Sequence, residues 1–102
     1  VGNQQLHMVP VAEVLYFEAA DKYVRVIAAD GEYLIRTPLR QLMQQLPPDL
    51  FWQVQRGVLV RAEAIASVHR EDSGKMWLRL RERPEDERLP VGRLYAHLFK
   101  AM

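Results

Sequence analysis

Arginine is the side chain in this sequence best equipped to recognise another molecule. Eleven of the fourteen basic residues are arginines, and a planar guanidinium can grip a phosphate or a guanine edge through two parallel hydrogen bonds, which an ammonium group cannot do. Their placement is uneven. Residues 1–50 hold four Lys+Arg against six Asp+Glu and residues 51–102 hold ten against seven, so the net charge of +1 divides into −2 and +3. The positive charge therefore sits late in the chain, although the total is smaller than nucleic-acid-binding domains commonly carry. Side chains suited to covalent chemistry are scarce. Serine occurs only as Ser67 and Ser73 and threonine only as Thr37, with no glycine-flanked nucleophile elbow. His7, His69 and His97 lack the spacing of metal ligands, and the adjacent carboxylates Glu85, Asp86 and Glu87 repel one another into solvent instead of converging as an acid/base pair. No glycine pattern suited to cradling phosphate occurs. Neither catalysis nor a metal or other cofactor is expected.

The chain of 102 residues, 49% hydrophobic and 26% charged, has room for one folded domain, assigned to residues 1–102. No apolar run approaches the roughly 20 residues of a bilayer-spanning helix, and Val1 to Gln5 carry no basic lead into a hydrophobic stretch. Neither a membrane association nor a secretion signal is expected. The absence of cysteine excludes a disulfide framework and a cysteine zinc site and is compatible with a reducing cytoplasm, the expected location.

Short strands must position these residues. Val14 to Ala19 and Tyr23 to Ala28, rich in aromatic and aliphatic side chains, read as two strands joined through Ala20-Asp-Lys22. Asp30-Gly31 predicts a hairpin turn through its tolerance of positive φ, with Glu32–Arg36 returning. Thr37-Pro38 reads as a helix start, and Leu39, Leu42, Met43 and Leu46 follow at i, i+3, i+4 and i+7 before Pro47-Pro48 stops the helix. With one basic residue, Arg40, on its polar face, this helix is read as a packing element and not as a groove reader. Phe51–Gln55, Gly57–Val60, Ile65–Arg70 and Lys75–Leu80 are further strands. The Ser73-Gly74 turn precedes the last of these, in which Met76, Leu78 and Leu80 alternate with Lys75, Trp77 and Arg79. Arg81–Arg88 reads as a charged loop, and Leu94, Leu98 and Met102, with Tyr95 and Phe99, as a short closing helix.

Four segments in order resemble the LytTR family: Val14-Leu-Tyr-Phe-Glu-Ala with Lys22-Tyr-Val24, Arg36-Thr-Pro-Leu39, Phe51-Trp-Gln-Val-Gln-Arg-Gly-Val-Leu-Val60, and Leu89-Pro-Val-Gly-Arg93. The resemblance covers nearly the whole chain. It implies a mainly β fold, elongated, with about ten strands in stacked small antiparallel sheets and two short helices, in which loops enter the DNA. It also implies the output domain of a bacterial two-component response regulator, a C-terminal fragment of a longer protein that follows a receiver domain. Such domains bind direct repeats in double-stranded DNA, often as homodimers, to regulate transcription.

The site residues the resemblance implies lie in three loops. Lys22, Tyr23 and Val24 form the first, with Lys22 placed to meet a phosphate. Gln55 and Arg56 form the second, where glutamine can pair with adenine and arginine with guanine O6 and N7; Arg61 stands nearby where the family often has asparagine. Arg93 is the third, at the start of the last helix, whose free N–H groups suit a phosphate. The chain departs from the family at Gln55, Gly57 and Gly92, where histidine, serine and serine are usual, so the preferred base and the affinity are expected to differ. The competing reading is a protein-interaction module that kept the fold without DNA binding, motivated by the low net charge and by Trp52 and Trp77. A small-molecule sensor has only β content in its favour.

Overall fold

The computed structural model describes residues 11–99; His7 and Met102 lie outside them. Strands β1 (Val14–Ala20), β2 (Tyr23–Ala28) and β3 (Gly31–Ile35) are followed by helix α1 (Leu39–Gln45), then β4 (Phe51–Gln55), β5 (Val58–Arg61), β6 (Ile65–Arg70), β7 (Met76–Leu80) and β8 (Leu89–Val91). Arg93–Phe99 closes the described chain as a 3-10 segment. The strands form a five-stranded antiparallel sheet, ordered β3-β2-β1-β5-β4, and a three-stranded antiparallel sheet, ordered β6-β7-β8. These are eight strands among the described residues, in a molecule of 52 × 26 × 24 Å.

The central strand explains the layering. Val14 to Phe17 are all buried, as a continuous apolar run demands when both faces of its sheet are covered. The register slips between Val14 and Tyr16, a bulge that lets Leu15 and Tyr16 face one way while Val14 and Phe17 face the other. On one side Val14, Phe17, Val24, Val26, Phe51 and Leu59 pack against Leu39 and Leu42 of α1, with the Phe17 and Phe51 rings 5.6 Å apart. On the other, Leu15, Ile27, Val54 and Val60 meet Met76, Leu78, Leu80 and Leu89 of the second sheet, together with Phe99. Helix, large sheet and small sheet are thus three layers around two apolar interfaces.

Several local expectations need correction. The turn between β2 and β3 is Ala29-Asp30, because Gly31 already pairs with Ala28, and neither turn residue has positive φ. Thr37 makes no cap; Pro38 is the N-cap, and its carbonyl accepts from the Gln41 and Leu42 amides. Met43 stays exposed because Leu39, Leu42 and, at the C-cap, Leu46 cover the sheet. Leu94, placed in the core by helical spacing, is 80% exposed. The closing segment is 3-10, with three residues per turn, so the i, i+4 stripe does not form. By contrast, Gly74 turns at φ +94° and Met76, Leu78 and Leu80 are buried, as the sequence predicts.

Tyr16 gives this core a pH signature. Burial, and then Glu87, push its hydroxyl above the ordinary value of 10.0. The folded state holds this proton more tightly than the unfolded chain, so the contribution is complete below pH ~10 and is lost as pH rises through the folded value. Between about pH 9 and pH 11 the urea midpoint is expected to fall further for the wild type than for Tyr16→Phe; equal falls would show that Tyr16 is not the titrating group.

Candidate nucleic-acid interface

Antiparallel pairing brings two hairpin tips to one end of the large sheet. Ala20 pairs with Tyr23 across the Asp21-Lys22 tip, and Gln55 with Val58 across Arg56-Gly57. Asp21 takes φ +58°, which an aspartate tolerates better than most residues. Because β1 runs against β5, with Glu18 opposite Val58, the two tips are neighbours, and the Ala19 amide donates to the Gly57 carbonyl at 2.8 Å. The Gln53 side-chain amide holds the second tip from inside by donating to the Arg56 carbonyl at 3.0 Å. The third segment is fastened to the same place. The Gly92 amide donates to Val54 O at 2.7 Å and Gln55 Nε2 to Pro90 O at 2.6 Å, which sets Arg93 beside the Arg56 tip.

Lys22, Arg56 and Arg93 are all exposed, and among the described residues none is in an ion pair or side-chain hydrogen bond. Arg93 does not pair with the 85–87 carboxylates: Arg83 grips Glu87 at 2.7 Å. Glu18, close to the first tip, is likewise occupied, because Arg25 bonds both Glu18 and Glu32. The Arg25 hydrogen bond holds Glu32 below its ordinary range, and the same bond raises the guanidinium. Arg25 therefore neutralises Glu18 and Glu32, while Asp21 stays exposed in the first tip and Lys22, Arg56 and Arg93 remain available to an anion.

Other residues expected at the site are used differently. Val24 is 2% exposed and packs under α1, so its side chain cannot meet a ligand. Tyr23 is exposed, with the Arg36 guanidinium 5.6 Å from its ring centroid. Gln55 spends one amide N–H on Pro90 and keeps its carbonyl oxygen and a second N–H. Arg61 departs furthest from expectation. Its Nε donates to Val14 O at 2.7 Å, its Nη1 meets Glu63 at 3.3 Å, and only 15% of the side chain is exposed; it fastens β5 to the start of β1. Of the two tryptophans, Trp52 is half-buried against Phe99 at 5.6 Å, while Trp77 stacks on His69 at 4.0 Å and lies 4.3 Å from the Arg88 guanidinium. Sequence reasoning missed Gln53 altogether and, at Gly92, saw only an absent serine and not the amide bond to Val54; these residues act through hydrogen bonds within the tip and between the sheets, which no local pattern announces.

A strand scaffold that gathers unpaired cations on neighbouring loops is a binding module for an anionic surface. The family model described as the LytTr DNA-binding domain matches residues 4–102, and the chain belongs to that family. It is 39% identical over 96% of its length to an uncharacterized response regulatory protein of Vibrio cholerae, and 33% identical over 74% to the positive alginate biosynthesis regulatory protein of Pseudomonas aeruginosa. It spans only 38% and 30% of those two proteins. A solved LytTr DNA-binding domain from a Bacillus cereus response regulator superposes with a TM-score of 0.79 at 28% identity, covering 91% of this chain and 83% of that one. No helix among the described residues is long and apolar enough to cross a membrane.

Proposed function

We propose that this domain reads specific sequences in double-stranded DNA through the side chains of Arg56 and Arg93, with Lys22 neutralising a phosphate. In this reading, residues 1–102 are the output domain of a cytoplasmic two-component response regulator. A receiver domain precedes it, and two copies bind direct repeats to control transcription; no chemical step is required. The observation that supports this most is the fastening of three loops, two from the large sheet and one from the end of β8, so that their unpaired cations share one end of the molecule. Phosphate neutralisation supplies much of the affinity, and base edges supply the choice of sequence.

Selection from a random duplex pool, followed by fluorescence anisotropy on the enriched site at two salt concentrations, tests this reading. A short direct repeat should be enriched and its affinity should fall steeply with salt; a folded protein that enriches nothing would overturn the reading. Lys22→Ala is expected to weaken cognate and scrambled duplexes alike and to reduce the slope of log K against log salt by about one. A slope equal to that of the wild type would remove Lys22 from the contacts.

Gly57 offers a gain of binding. It is not in the left-handed region, and an added Cβ would meet the Ala19 Cβ at 3.4 Å, an ordinary contact. Gly57→Ser restores the hydroxyl usual in the family, and one added hydrogen bond to a phosphate is expected to tighten binding by about 2- to 10-fold. Unchanged affinity in the same titration would place the residue 57 side chain away from the DNA.

A further inference from the structure

Among the described residues, Leu94 is the most exposed large hydrophobic, at 80%, against 61% or less for the others in that class. Its segment does not need it for packing: Phe99 is buried, and Ala96 and Leu98 pack against the core shared by the two sheets. Arg93, Leu94 and His97 are left on the open side. In a 3-10 turn residues three apart eclipse one another, and His97 Nδ1 donates to the Leu94 carbonyl at 3.0 Å. The backbone that displays Leu94 is therefore held from within the segment and, through the Gly92 amide on Val54 O, fastened to the Arg56 tip. An exposed apolar side chain thus stands next to Arg93, on a segment fastened to the strand that leads into the Arg56 tip.

We propose that Leu94 contacts the C5-methyl group of a thymine in the major groove, next to the base pair that Arg93 reads. The assignment rests on DNA reading by Arg93 and adds a second, apolar letter to it. The chemistry points to one base. The edges of adenine, guanine and cytosine present donors and acceptors to the major groove, and thymine alone adds a methyl group. A leucine pressed against any of the polar edges would desolvate them without returning a hydrogen bond, whereas against the methyl group both partners lose only unfavourable apolar exposure to water.

The test is a methyl deletion on the enriched duplex. Each thymine is replaced in turn by deoxyuridine, which keeps every hydrogen-bonding group and removes only the methyl. Affinity is then measured for the wild-type chain, Leu94→Ala and Arg93→Ala. In the wild type one position per half-site, adjacent to the Arg93-dependent guanine, should lose roughly 3- to 5-fold. Leu94→Ala should bind the thymine duplex more weakly by a similar factor and be indifferent to deoxyuridine at that position, the signature of a direct contact. At 80% exposure the substitution leaves the core intact, and an unchanged melting temperature checks this. If deoxyuridine is neutral everywhere, or if Leu94→Ala still senses it, the assignment is wrong even though Arg93 reads DNA. Loss of self-association in Leu94→Ala with the deoxyuridine effect retained would likewise overturn it and place Leu94 in a protein contact. Failure to enrich any duplex, or indifference to Arg93→Ala, would instead sink the DNA reading by Arg93 on which it stands.

Discussion

Alanine at Arg56 or Arg93 is expected to cost about 1–3 kcal/mol on the cognate duplex, roughly 5- to 150-fold in affinity, with a smaller loss on a scrambled one. The difference between the two duplexes carries the information. A guanidinium that only neutralises a phosphate loses the same affinity on every sequence, whereas one that donates two hydrogen bonds to guanine loses more where the guanine is present. Both side chains stand free of internal partners at the end of a tied loop, so neither has to break a protein contact before binding. Arg61→Ala is the matching control. Its guanidinium is engaged with Val14 O and Glu63, so this substitution should lower stability and leave the cognate-to-scrambled ratio intact. Titration of the three variants at fixed salt settles the matter: equal losses on both duplexes would make Arg56 and Arg93 phosphate clamps, and no loss would remove them from the interface.

Leu78→Ala is expected to destabilise the fold by about 2–5 kcal/mol, a large share of the 5–15 kcal/mol typical of a whole domain. Leu78 is completely buried in the middle strand of the small sheet, and its layer shares a core with Leu15, Ile27, Val54 and Val60 of the large one. Truncation leaves a cavity at the seam between sheets, where backbone pairing on either side limits collapse. Because β8 leads directly into Gly92 and Arg93, loosening that seam should weaken DNA binding as well, although Leu78 lies in the core. Urea denaturation gives the first quantity and anisotropy below the transition gives the second. A change under about 1 kcal/mol would mean that the two sheets do not depend on this contact.

Most of the fold was legible in the sequence. The alternation of Met76, Leu78 and Leu80 predicts a half-buried strand, and the unbroken Val14–Phe17 run fits one buried on both faces. Errors arose where a local rule had two outcomes. The Asp30-Gly31 signal marks a turn without fixing its register, and strand pairing moved it back one residue. Strand β8 went unread because Pro90 argues against a strand; at the edge of the small sheet its missing N–H breaks no ladder. Leu94 fitted an α-helical stripe that a 3-10 segment cannot make. Among the site residues, the resemblance found the right loops but not which side chains leave them. Val24 alternates inward from Tyr23, and Arg61 turns back onto Val14. The ties from Val54 and Gln55 to the segment at Pro90 and Gly92 span more than thirty residues, and no neighbouring pattern encodes them.

Two of the three bonds that gather the loops, Ala19 to Gly57 and Gly92 to Val54, run from backbone to backbone, and the third ends on the Pro90 carbonyl. The frame that sets the spacing of the contacts is therefore nearly independent of the side chains that make them. Like a typesetter's forme, it keeps the slots fixed while the type is exchanged: under the proposed reading, changing the residue at 56 or 93 changes the preferred sequence and leaves the distance between letters as it was.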